Sequence, residues 1–496
     1  MIKKWLKRIG AAFLASALSL TLCLAAGAED LRIRDNLSLT LTNVPDGAAF
    51  KVYTVAAASV NPGDQAYTYA AQDPFTKTDI TTLATLNENT PASAVQTEAA
   101  TLKAKITPET SVTATLDKEH GYKSSGLSTG YYLILMDEDE SKTNMIASPM
   151  LVSLTNATNT VEVKSSYIPF DKTITEVKDG KGTVAQDAHT AVAEIGSTVS
   201  YAITSQIPRY DASVSVKELA NSFTITDNPS DGLTITDDQF KKISVKVGGA
   251  DVKAADDTYK IQKNNPDDKG FTIVFENSYV LANQGKAVSV TFDASINDFA
   301  VLKDAGNPNN AELSYTNNYF GTGNPAKEEG KTYVYTTGIK IVKTDGKNTA
   351  LQGVGFTLYS EDGNTVVKDE LKTDDKGLIY FKGLNAGTYT LKETTTLTGY
   401  TKIADSKIEI TATKDGNTYT GTFTAKKVGK EDMITPVEET EGTEKGNKYF
   451  DLAIQNVKGI TLPGTGAMGA PMILAGGVIL VVLAGVLLLL YRKKQH

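Results

Sequence analysis

Three positions in the last third of the chain carry polar groups where a strand's alternation calls for apolar ones. Lys343 follows Ile339 and Ile341, Glu393 follows Tyr389 and Leu391, and Asn456 follows Leu452 and Ile454. Residues two apart in a strand share a face, so each of these side chains is expected to enter a core with the hydrophobic residues before it. The middle of the chain repeats the set, with Lys172 after Ile168 and Phe170, Asp227 after Phe223 and Ile225, and Asn317 after Leu313 and Tyr315. Asn318 competes with Asn317, and strand parity favours Asn317. Burial lowers the pKa of an amine and raises that of a carboxyl group, so a neutral lysine and a protonated acid can coexist in one dry site. The amine is then a nucleophile, the acid polarises the carboxamide and moves protons, and ammonia leaves. The product is a Lys–Asn isopeptide bond, made once per domain without a cofactor. Such single-turnover chemistry is maturation, and the chain is not expected to be an enzyme.

Strands must hold these groups, and strands dominate the sequence. Short alternating runs rich in Thr, Val, Ile and Tyr, such as 37–41, 272–275, 288–292 and 408–412, recur between clusters of Gly, Asn and Asp. Many short strands with turn signals indicate an all-β chain of tandem antiparallel sandwiches, immunoglobulin-like in class. The clearest helical candidate is the Ala-rich stretch 92–105 after Pro91, expected as an insertion in the first domain. Composition shifts at 167–171, which contains Pro169, and at 321–332 mark boundaries, and the acidic stretch 431–446 is expected to be a mobile loop. The expected organisation is a leader at 1–28, an N-terminal module at 29–166, a middle domain at 167–326, a last domain at 327–461 and a C-terminal signal at 462–496.

The two ends suggest where the chain works. Lys3, Lys4, Lys7 and Arg8 precede an apolar stretch at 9–24 and the small residues Ala26, Gly27 and Ala28, the pattern of a secretory signal peptide removed near Glu29. The single cysteine, Cys23, lies inside that leader, so the mature chain has no disulfide to reinforce it outside the cell. The formal net charge of −8 becomes −15 for 29–465, because four basic residues go with the leader and three with the tail and neither carries an acid. An acidic surface of this kind excludes nucleic acid as a partner. At the far end Leu462, Pro463, Gly464, Thr465 and Gly466 are followed by an apolar run at 472–490 and by Arg492, Lys493 and Lys494. The run is long enough to span a bilayer, with the basic cluster on the cytoplasmic side. This arrangement resembles the sorting signal of Gram-positive wall-anchored proteins. There a sortase cuts an LPxTG pentapeptide between Thr and Gly and passes the Thr carbonyl to an amine. The resemblance implies a cut between Thr465 and Gly466, with the C-terminal helix retaining the chain in the membrane until then.

Further segments resemble one family. Gly338-Ile339-Lys340-Ile341-Val342-Lys343, Leu351-Gln352-Gly353-Val354-Gly355-Phe356, Gly387-Thr388-Tyr389-Thr390-Leu391-Lys392-Glu393 and Ile454-Gln455-Asn456 look like a CnaB-type domain of Gram-positive sortase-dependent pilins. Thr396-Leu397 stands where the family's glutamate motif usually has Ala-Pro. Phe170-Asp171-Lys172, Phe223-Thr224-Ile225-Thr226-Asp227 and the run from Ala311 to Asn317 resemble the CnaA-like fimbrial domain. The resemblance implies that Lys343 bonds Asn456 with Glu393 assisting, and Lys172 bonds Asn317 with Asp227 assisting. The first module, with Asp46-Gly47-Ala48-Ala49-Phe50 and Gly130-Tyr131-Tyr132-Leu133, resembles the N-terminal module of backbone pilins and is expected to lack such a bond. Backbone pilins carry at the exit of this module a lysine that receives the Thr carbonyl of the next subunit, and Lys164 is the candidate here, without the usual Tyr-Pro before it.

Together these features lead to the expectation of a covalently polymerised fimbrial shaft subunit on the cell surface. Its expected partners are a sortase, other pilin subunits and peptidoglycan. The alternative is a monomeric wall-anchored adhesin or accessory pilin whose partner is a host protein or glycan. No cofactor or metal is expected: His120, His189 and His496 are too scattered for a histidine cluster. The DxSxS of Asp211 to Ser215 lacks the apolar strand that a metal-dependent adhesion site needs before it.

Overall fold

A computed structural model describes residues 32–459 apart from 61–66, 87–89, 138–144, 179–181, 211–213, 218, 265–268, 303, 320, 322–324, 431 and 441–443. The expected leader, sorting pentapeptide and apolar span lie outside the described residues. Among those described, no helix is long and apolar enough to cross a membrane. The chain is mostly β, built as tandem sandwiches, and divides into two compact units, of which the first holds residues up to Val301, Ala305–Tyr335 and Lys414–Tyr419.

The first unit begins with an N-terminal module in which strands Leu37–Thr42 and Thr158–Glu162 pair in parallel. A larger sheet carries Phe50–Ser59 and Gly130–Met136 at its centre. Phe50, Val52, Tyr132 and Ile134 pack on one face of that sheet, and Tyr53, Val55, Leu133 and Leu135 on the other. A sheet covered on both sides needs apolar residues in both parities, which is why 130–135 reads as an unbroken apolar run. The helix Ala92–Lys103 helps cover the second face, presenting Val95, Ala99 and Leu102, spaced four and three apart, as its buried stripe. A second helix, Lys77–Leu83, contributes Ile80 and Leu83 to the same core. The strand Ser165–Tyr167 closes the module by pairing with Met145–Ala147.

The middle sandwich lies in the same unit. Its first sheet runs Phe170–Val177, Thr198–Gln206, Ala287–Ile296, Ser244–Val247, Ala250–Val252, with Leu233–Thr234 beside Ala287–Ile296. The facing sheet runs Gly182–Val184, Thr190–Ala193, Pro325–Tyr335, Asn307–Thr316, Thr224–Pro229, Phe271–Phe275, Tyr259–Lys263. Alternation is strict where the core is filled: Ala287–Ile296 buries Val288, Val290, Phe292, Ala294 and Ile296. The boundary expected at 326/327 is corrected, because it would cut the strand Pro325–Tyr335. From Pro325 to Val334 that strand pairs with Asn307–Thr316, and it belongs to the middle sandwich. Pro325, Lys327 and Glu329, within the stretch read as a linker, are the exposed positions of its first half.

In the second unit one sheet runs Leu378–Leu384, Thr337–Asp345, Lys448–Asn456, Pro436–Glu438. Its first and last long strands, Thr337–Asp345 and Lys448–Asn456, are parallel neighbours. The facing sheet is centred on Gly355–Ser360 and Gly387–Thr395. The acidic stretch expected to be a mobile loop is corrected in part. Met433–Ile434 and Pro436–Glu438 join the two sheets, and Glu439 accepts from the buried Lys340 and, at 3.0 Å, from Tyr380 Oη. Lys340 also reaches Asp451 at 2.9 Å, so an ion cluster holds the stretch down where composition suggested only solvation.

Candidate functional site

Lys343, Glu393 and Asn456 meet in the core of the last sandwich, all three essentially without solvent contact. Lys343 and Asn456 come from the parallel pair, where Lys343 stands opposite Ile454, two residues before Asn456 on the same face. Glu393 comes across from the facing sheet, opposite Phe356 in its own pairing. Lys343 Nζ donates to Asn456 Oδ1 at 2.6 Å, and Asn456 Nδ2 donates to Glu393 Oε1 at 2.9 Å. The other carboxylate oxygen, Oε2, accepts from the Ile403 N–H at 3.4 Å, and Nζ also lies 3.4 Å from the Ile454 carbonyl. The carboxamide is therefore bridged between amine and acid. Burial pulls the Lys343 ammonium down to about 8, with Glu393 opposing the shift. This geometry puts a nucleophile at the carboxamide carbonyl and a proton carrier at its nitrogen, the two roles that amide exchange requires.

The middle sandwich builds its cluster differently. Lys172 lies on the edge strand Phe170–Val177 of one sheet and Asp227 on Thr224–Pro229 of the other, and their fully buried side chains form an ion pair across the core. The Lys172 backbone passes so close to Gly330 that a Cβ there would sit 2.9 Å from the Lys172 Cβ. Burial lowers Lys172 to about 8 against the pull of Asp227, and burial raises Asp227 against the pull of Lys172. Lys172 Nζ also lies 5.4 Å from the ring centres of both Tyr201 and Phe292, which stack on each other.

Asn317 is not the carboxamide beside this pair. Asp227 stands opposite Ala311, and Asn317 is six residues further along, about 20 Å away at the rise of a strand. The strand Asn307–Thr316 ends before it, and Asn317 is only half-buried. Asn309 takes the place instead. It is two residues from Ala311, on the face that Asp227 shares, and has no solvent exposure. Its carboxamide lies within hydrogen-bonding influence of both Asp227 and Tyr201, yet neither of its polar atoms makes a hydrogen bond of normal geometry. The alternation of Leu313 and Tyr315 extends backwards to Asn309 as well as forwards to Asn317. Backwards it meets Asn307, Pro308, Asn309 and Asn310, a composition that reads as a turn, and that obscured the parity signal.

Lys164 sits between the strands Thr158–Glu162 and Ser165–Tyr167, half-buried, with its carbonyl accepting from the Ser148 N–H at 2.9 Å. It is at the exit of the N-terminal module, on backbone tied into paired strands. The pentapeptide Leu462 to Gly466 lies outside the described residues, a few positions after the bridge between Tyr400 and Lys458.

Comparison with known proteins gives these sites a context. Residues 337–427 match the family model of the SpaA prealbumin-like fold domain. The chain is 25% identical over 304 residues to the trypsin-resistant surface T6 protein of Streptococcus pyogenes serotype M6, a match that takes in 54% of each chain. The chain thus spans about half the length of the curated relative it matches. Among solved structures, the T6 backbone pilin of serotype M6 Streptococcus pyogenes superposes with a TM-score of 0.56 at 18% identity, over 86% of this chain and 94% of the other. The full-length major pilin SpaD of Corynebacterium diphtheriae does so with a TM-score of 0.50 at 19% identity, over 86% and 98%. In fold this chain is similar to the major pilins of Streptococcus pyogenes and Corynebacterium diphtheriae, and its residues 337–427 match the SpaA prealbumin-like fold domain.

Proposed function

We propose that the chain is the shaft subunit of a cell-surface fimbrium, polymerised and wall-anchored by a sortase and hardened by two self-formed isopeptide bonds. The observation that carries this reading is the dry contact of Lys343 with the Asn456 carbonyl at 2.6 Å and of the Asn456 amide nitrogen with Glu393 at 2.9 Å. The neutral amine attacks Cγ, the acid protonates the amide nitrogen, ammonia departs and the acid recovers its proton from Nζ. The bond ties strands 113 residues apart in sequence. In the middle sandwich Lys172, Asn309 and Asp227 take the same roles, with the bond crossing between sheets instead of joining neighbours in one. Burying Lys172 and Lys343 wholly away from solvent has no evident stabilising reason, since a charged group in a core is no better than a hydrophobic residue of its size. A reaction gives one.

Polymerisation would join Thr465 of one subunit to Lys164 of the next, and peptidoglycan to the last Thr465. Two measurements test the reading. The intact mass of the processed chain is expected to fall short by two ammonia molecules, one restored by Glu393→Ala and the other by Asp227→Ala; a full mass overturns the bonds. Wall extracts on a denaturing gel are expected to show a ladder that Lys164→Ala collapses, whereas one discrete band overturns the shaft and leaves an adhesin.

A further inference from the structure

Around Lys172 in the middle core, four polar atoms lack normal hydrogen bonds: the Tyr201 hydroxyl, Asp227 Oδ1, and both Oδ1 and Nδ2 of Asn309. All belong to residues with essentially no solvent exposure. Leaving a buried polar group unpaired is costly, so a cluster of four around one lysine calls for a cause. Tyr201 lies on Thr198–Gln206, the strand beside that of Lys172, two residues from Ile203, which pairs with Lys172 itself. Its ring is fixed by stacking on Phe292 at 5.2 Å between centroids, and the Lys172 amine sits 5.4 Å from its centre. A phenol so placed cannot turn to water. Burial raises its pKa, which keeps it a protonated donor.

We propose that the Tyr201 hydroxyl is the oxyanion donor of the middle domain's bond-forming reaction, hydrogen-bonding Asn309 Oδ1 as charge develops there. The inference rests on the assignment of Lys172 and Asn309 as the bonding pair. The Lys172 Nζ lone pair attacks Asn309 Cγ, the carbonyl electrons move onto Oδ1, and Tyr201 holds that oxygen while keeping its own proton. Asp227 gives its proton to Nδ2, the C–N bond breaks, ammonia leaves, and Nζ returns a proton to Asp227. Each group unpaired beforehand acquires a partner along this path. The last sandwich is arranged otherwise, with Asn456 Oδ1 facing the Lys343 amine and its nitrogen facing Glu393, both partners already in place.

The test is an isotopic pulse-chase of the full chain, followed by digestion and mass spectrometry of the branched peptides. Tyr201→Phe keeps the ring and removes the donor, so the Lys172–Asn309 peptide is expected to form about 100-fold more slowly than in the unsubstituted chain, while the Lys343–Asn456 peptide keeps its rate. Equal rates for the middle bond overturn the proposal. Melting is compared with that of Lys172→Ala, which leaves the same core unbonded. Matching melting with slow bonding supports a chemical role, and melting well below Lys172→Ala overturns it in favour of a packing role. If Asn309→Ala still yields a branched peptide at Lys172, the pair assignment fails separately, and Tyr201 falls with it.

Discussion

A lysine brought to about 8 beside an acid does not titrate alone. In the middle core Lys172 and Asp227 hold one proton between them, and the reactive arrangement, neutral amine with protonated acid, has the same proton count as their ion pair. Formation of the middle bond is therefore expected to be flat near neutrality. Above about pH 8 the pair loses its shared proton, and the rate is expected to fall about tenfold per pH unit for want of the acid. Branched-peptide yield at fixed times after dilution from denaturant, between about pH 7 and 10, checks the sign; a rate that rises through this range would mean that amine deprotonation alone controls the step. Asparagine choice is also decided at this scale. Asn309→Ala is expected to abolish the ammonia deficit of the middle domain and Asn317→Ala to leave it intact, read as intact mass.

At the scale of the element, what positions each lysine is the strand next to it. Gly330 gives the Lys172 strand room to lie against Pro325–Tyr335, and the Cβ added by Gly330→Val would meet Lys172 Cβ at 2.9 Å and its backbone nitrogen at 3.1 Å. That crowding is expected to cost about 1–3 kcal/mol and to lower the yield of the middle bond, measured by denaturant midpoint and branched peptide. In the last sandwich Lys340→Met would leave Glu439 and Asp451 facing each other without their cation. A loss of about 3 kcal/mol and faster proteolysis around 433–439 are expected. The strand parity that exposed Lys343, Glu393 and Asn456 was legible because each sits at the end of a run of large apolar residues. Asn309 was hidden because its strand begins in residues that usually make turns, and the 325–335 strand because its outward face is a proline and charged residues. The ion cluster that fastens 433–439 could not be read at all, since acidic composition alone does not say which lysine lies opposite.

For the whole molecule, a chain with a single cysteine has no internal disulfide, and the proposed isopeptide bonds would be its covalent closure. Each such bond would constrain a loop of more than a hundred residues in the unfolded state, worth roughly 4–5 kcal/mol by chain entropy. Blocking the last-domain bond with Glu393→Ala is expected to lower that domain's melting temperature by roughly 10–20 °C in calorimetry. The parallel pairing of Thr337–Asp345 with Lys448–Asn456 adds something that melting does not report. With Lys343 and Asn456 joined, a continuous covalent line enters at residue 337, crosses at 343 and leaves through 456 toward the C-terminus. The residues from 344 to 455 hang from that line as a closed side loop. In a chain closed this way, a protease nick anywhere within them would leave that line unbroken from residue 337 to 456.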